Sequence, residues 1–110
     1  MSTTYATETL IAGPVETRQV KLDADTYYKG MPLKYVAGTD SYQYDAAAAT
    51  LAAIFAEDES RVLSTAGYGM VIVGGDVYQG GFVSDANAAL TIDEDFIAAV
   101  GPRGFYVKRT

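Results

Sequence analysis

The sequence predicts a mainly β fold with one or two short helices, folded as one compact domain, and three observations predict it. Short runs rich in Val, Ile, Tyr and Phe recur along the chain, bounded by Gly, Asp and Ser. Glycine pairs at Gly74-Gly75 and Gly80-Gly81 mark tight corners or bulges between such runs. A length of 110 residues, with 49% hydrophobic and 20% charged residues, is enough for one core without disulfide or metal staples.

Residues 1–14 hold four Thr and no basic residue, and they close on Gly13-Pro14, a turn signal. This stretch reads as a flexible N-terminal arm before a β-rich domain of residues 15–110. Two readings of the arm stand side by side: a segment that orders on binding a partner, or a frayed terminus.

Residues 15–22 have the pattern of a strand ended by Asp23-Ala24-Asp25. Residues 31–36 form a second strand, with Pro32 at its beginning or on a sheet edge because proline cannot donate to a ladder. Residues 38–41 make a turn, and residues 42–44 return as the other arm of a hairpin, with Tyr42 and Tyr44 on one face. Asp45 before Ala46–Ala49 caps a turn or short helix that feeds a strand at Ile54-Phe55, and Glu57-Asp58-Glu59 follows as a solvated loop.

Gly67-Tyr68-Gly69 reads as a turn before the central strand of residues 70–73, and Gly74-Gly75 turns the chain into residues 76–79. Thr91 and Glu94 have capping-box spacing, and Phe96, Ile97 and Val100 give one apolar face to a short helix stopped by Gly101-Pro102. Residues 104–108 are the closing strand.

The chain has no His and no Cys, which removes the usual general base, the thiol nucleophile and the softer metal ligands together. The acidic clusters at residues 57–59 and 93–95 are the remaining acid/base candidates. Sequence neighbours rarely face one cleft with separated pKa values, and capping accounts for the second cluster. Neither cluster has the alternating carboxylate loop of a calcium site, and no glycine segment has the full spacing of a nucleotide-binding loop. The expectation is a non-enzyme with no cofactor and no metal.

A formal charge of −6 argues against nucleic acid as the main partner, since such binding depends on basic side chains neutralising phosphates. Arg103, Lys108 and Arg109 gather near the C-terminus, where a solvated strand is expected in place of a basic patch. No apolar run reaches the length of a membrane span, and residues 1–15 lack the layout of a signal peptide, so no membrane partner is expected. Nine Tyr supply interface material, because the ring offers large contact area with a polar tip.

Four segments in order, Tyr28-Lys-Gly-Met-Pro-Leu33, Ala52-Ala-Ile-Phe-Ala-Glu-Asp58, Val71-Ile-Val-Gly-Gly-Asp-Val77 and Asp95 to Lys108, resemble the lambda-type bacteriophage head decoration proteins. Ala53 stands where that family's pattern has Gly, and Phe105 where it has Ile. The resemblance implies a β-clip-like domain without enzyme activity. It implies a homotrimer on the outer surface of the virion capsid, bound to the major capsid protein and stabilising the expanded head against internal DNA pressure. It also implies that the N-terminal arm orders against the capsid protein. Thr7, Thr9, Leu10 and Ile11 are then the candidate capsid-binding residues, by strand addition to an exposed edge. A phage tail or neck β-module, and a ligand-binding β-domain using exposed Tyr residues, are the alternative readings.

Overall fold

The structure is a computed structural model and describes residues 10–109. Eight strands follow one another: β1 (Ile11–Leu22), β2 (Asp25–Tyr27), β3 (Pro32–Val36), β4 (Ser41–Tyr44), β5 (Ala53–Phe55), β6 (Arg61–Leu63), β7 (Gly67–Tyr78) and β8 (Phe105–Lys108). The helix α1 (Glu94–Val100) precedes β8, and short 3-10 turns lie at Ala48–Thr50, Gln79–Gly81 and Gly101–Arg103. The domain is mainly β, as expected.

Strand β7 is the spine. β1 runs antiparallel along one side of it, while the other side takes β5 at Val71 and Ile72 and then β8, in parallel, from Gly75 to Tyr78. β5 pairs with β3, β3 with β4, and β4 meets β1 at a single parallel bridge between Leu22 and Tyr42. Five strands thus form a ring, β1-β4-β3-β5-β7, that closes only at Leu22. Pro32 is the first residue of β3, where its missing N–H costs least.

Alternation along the strands feeds two apolar clusters. Ile54 and Ile72 pack with Leu10, Val77, Phe82, Phe96, Val100 and Phe105, whereas their chain neighbours Phe55 and Val71 pack with Leu22, Tyr27, Met31 and Leu33. Successive side chains of a strand point to opposite faces, so a continuous apolar run is what a sheet covered on both faces requires. Helix α1 lays Phe96 and Val100 on the first cluster, with Phe82 and Phe96 in an edge-to-face contact at 5.4 Å.

Four local expectations are corrected. Gly67, Gly69, Gly74 and Gly75 lie inside β7 and make no turns. The register instead slips opposite Glu16 and Thr17, leaving Val73 as the extra residue of a bulge. Gly75 takes φ of +120°, and a Cβ there would stand 2.4 Å from the Pro14 carbonyl oxygen, so the close approach of β1 requires glycine.

The N-cap of α1 is Asp93 and not Thr91. Its carboxylate accepts the Phe96 N–H at 3.0 Å, and the cap lies two residues later than the capping-box spacing indicated. Asp45 accepts the Ala47 N–H at 2.8 Å in a turn and does not cap the 3-10 segment, whose cap position is Ala47. The boundary expected at Pro14 falls within β1, and Leu10, just before that strand, is fully buried. The body therefore begins no later than Leu10, because that side chain fills the first cluster and its carbonyl accepts the Tyr78 N–H at 2.7 Å.

The ribbon of β2 and β6 carries no sequence signal of its own. Each strand has three residues, too few for a period to register.

Candidate functional site

Of the four residues expected to bind a partner, Thr7 and Thr9 lie outside the described residues. Leu10 is an anchor: a Cβ on Gly81 would lie 2.5 Å from the Leu10 Cα, so the two backbones are in direct contact. Ile11 pairs with Val77 and leaves 41% of its surface exposed, available to a partner in a way that Leu10 is not.

The tyrosines divide by environment. Tyr27 is buried against Phe55 with centroids 5.6 Å apart, and its hydroxyl donates to the Asp23 carbonyl at 2.7 Å. Burial, with Asp25 and Asp23 nearby, pushes its pKa up. Tyr42 and Tyr44 both pack against the second cluster, so the shared face turns inward. Tyr35 contacts Tyr42 edge-on at 5.3 Å and donates to Asp40 at 2.6 Å, a bond that holds the Tyr35 hydroxyl protonated to higher pH.

Tyr35 and, on β6, Val62 are exposed singly, and a strip of exposed apolar side chains lies on β7. Tyr68 and Met70 are 61% and 38% exposed on one face of β7, beside Lys21 and Gln19 of β1. The i, i+2 alternation of Tyr68 and Met70 is the signal for this strip. Reading Gly67-Tyr68-Gly69 as a turn concealed it. Tyr106 on β8 is 59% exposed and borders a shallow cleft of about 490 Å³ with Pro14, Glu16, Gly74 and Arg103.

The charged residues are mostly engaged in holding the fold. Glu57 is no solvated residue: its carboxylate takes Arg61 Nη1 at 2.9 and 3.0 Å and the Met70 N–H at 2.9 Å, while Arg61 reaches the Tyr68 carbonyl. This latch ties the loop before β6 to the edge of β7 that β5 leaves unpaired. Asp58 pairs with Lys29 at 2.6 Å, and that hydrogen bond draws the Asp58 pKa down. Arg103 donates to the Leu51 and Ala49 carbonyls, Lys108 lies 3.8 Å from Asp76, and Arg109 pairs with Glu94. The three C-terminal basic residues thus do not form a free patch, since each has a partner.

No protein-family model matches this chain, and no curated protein matches it in sequence.

A second cleft, of about 300 Å³, is lined by Asp23, Asp25, Tyr27, Gln43, Tyr44 and Asp85. Gln43 donates to Asp23 at 2.8 Å, and burial followed by Asp85 raises the pKa of Tyr44. Among the described residues no three carboxylates gather closely enough to hold a metal ion. The chemistry displayed is that of contact surfaces: an apolar strip on β7, an anchored N-terminal entry at Leu10, and a long strand β1 with one side largely open.

Proposed function

We propose that this chain is a phage capsid decoration protein that binds the outer surface of the expanded head as a homotrimer, with the major capsid protein as partner, and stabilises the lattice against DNA pressure. The observation that carries the reading is adjacency. The segments resembling lambda-type decoration proteins lead into β3, contain β5, lie within β7, and form α1 and β8, and their order along the chain is also their order across the sheet, β3-β5-β7-β8.

The mechanism follows from multiplicity. Internal pressure loads the contacts between capsid subunits, and a trimer that touches several of them adds weak contacts that must break together. Leu10, the residue after residues 1–9, is held in the core, so a pull on that segment is transmitted to the body. The absence of enzyme activity belongs to the same proposal, which assigns the chain a structural role with no nucleic-acid or membrane partner.

Co-sedimentation with expanded, undecorated heads tests the reading. Saturation at a copy number on the scale of the head lattice is expected, and a handful of copies would instead favour a tail or neck module. Light scattering of the free protein is expected to give a trimer, and a monomer that fails to saturate heads would overturn the proposal. Removal of residues 1–9 is expected to abolish head binding.

A further inference from the structure

Strand β1 pairs with β7 at Ile11 and from Val15 to Leu22, and among the described residues its other side meets a strand only at Leu22, where Tyr42 bridges. Residues 16–19 are exposed one after another, so both faces of the strand are in solvent there. The direction of the backbone groups follows from the far side of β7. Met70 donates to Glu57 and accepts from Ala56, and Gly75 donates to Gly104, all away from β1. Their β1 partners, Gln19 and Val15, therefore sit in non-hydrogen-bonded pairs and turn their N–H and C=O outward, and alternation adds Thr17 between them. No described residue accepts from or donates to these outward groups.

An open edge of this kind invites any extended strand, and proteins usually blunt it with charges of one sign that repel a copy of themselves. Here the charges do the opposite. Glu16 and Arg18 lie two residues apart on one face, 3.7 Å from each other and both largely exposed.

We propose that this edge pairs with the same edge of a second copy, antiparallel about a twofold axis through Thr17. Thr17 then faces Thr17, and Val15 faces Gln19 in both directions, so every outward N–H and C=O of the three residues finds a partner. Glu16 of each copy faces Arg18 of the other in the non-hydrogen-bonded positions, where side chains approach most closely. Slipping the pair by two residues either way sets Glu16 against Glu16 or Arg18 against Arg18. An odd slip opposes outward backbone groups to inward ones, so the charges and the backbone select one register. The bridge at Leu22 occupies the edge beyond and limits the pairing to residues 15–19.

This contact goes beyond the capsid reading and does not depend on it. It doubles a monomer, and it would join a trimer, which carries three such edges, to neighbouring trimers. So short an interface is weak in free solution, and the association is expected at about 1 mM chain and not at about 1 μM.

Sedimentation equilibrium over that concentration range tests it with Arg18→Glu, Glu16→Arg and their equimolar mixture. Both positions are exposed, and thermal melting checks that each variant retains the fold. The wild type is expected to rise at least twofold in weight-average mass, each single variant to stay at its low-concentration mass, and the mixture to regain the rise, because one strand then carries two acidic and the other two basic residues. A wild-type mass that does not rise, doubling that persists in both single variants, or a mixture that fails to double would overturn the proposal. A trimer that fails to appear changes the starting mass and leaves this comparison intact.

Discussion

Leu10 and Ile11 are neighbours in sequence, yet Leu10 is fully buried in the first apolar cluster while Ile11 keeps 41% of its surface in solvent. Leu10→Ala should cost about 2–5 kcal/mol, the loss of buried methyl groups plus the cavity they leave, whereas Ile11→Ala should cost under about 1 kcal/mol. Urea titration followed by circular dichroism separates the two; similar losses would mean that Leu10 is not the anchor. Asp45 governs a different dependence. Its carboxylate is held below the usual range first by the Ala47 N–H and then by Lys34, 3.4 Å away. A depressed carboxylate contributes stability above its unfolded pKa and loses it as pH falls through the folded value. The melting temperature should therefore drop below about pH 4, and Asp45→Asn should make that drop shallower while lowering stability at neutral pH.

At the scale of elements, α1 has seven residues, too short to persist without tertiary support and a cap. Asp93 supplies the cap, and Glu94 and Asp95 sit in the first turn, where the helix dipole favours negative charge. Asp93→Ala should destabilise the domain by about 1 kcal/mol, and Thr91→Ala by less than about 0.5 kcal/mol. Differential scanning calorimetry distinguishes this from the capping-box assignment, which predicts the reverse order. Thr91 and Glu94 have the spacing, but Ile92 is buried and its carbonyl accepts from Gln79 at 2.6 Å, so residues 91–92 are held outside the helix, which starts after an extended Asp93. The hairpin of β3 and β4 agrees with expectation because turn chemistry at residues 38–41 and alternation on both sides are local signals.

At the scale of the molecule, the chain's beginning is built into its middle: β1 lies along the whole of β7, and Leu10 reaches the turn that follows β7. A chain lacking residues 1–9 should melt close to the full-length protein, whereas one lacking residues 1–12 loses the Leu10 anchor and should melt more than about 8 °C lower. Equal melting of the two truncations would place the boundary of the body at Gly13-Pro14 after all.

Local patterns in the chain are enough for the mainly β class, the β3–β4 hairpin, the apolar runs of β5 and β7, the position of α1 and the closing strand β8. Each follows from side-chain alternation, helical spacing or turn chemistry within a few residues, and such signals survive without knowledge of the partner strand. Tertiary structure alone decided the rest. Gly74-Gly75 looks like a turn until β1 lies close enough to demand glycine in a continuous strand; β2 and β6 define each other only once paired; Gly13-Pro14 looks like a boundary until Leu10 finds its pocket. The open side of β1 belongs to the same class, because which edge of a strand is left without a neighbour depends on where every other strand has gone.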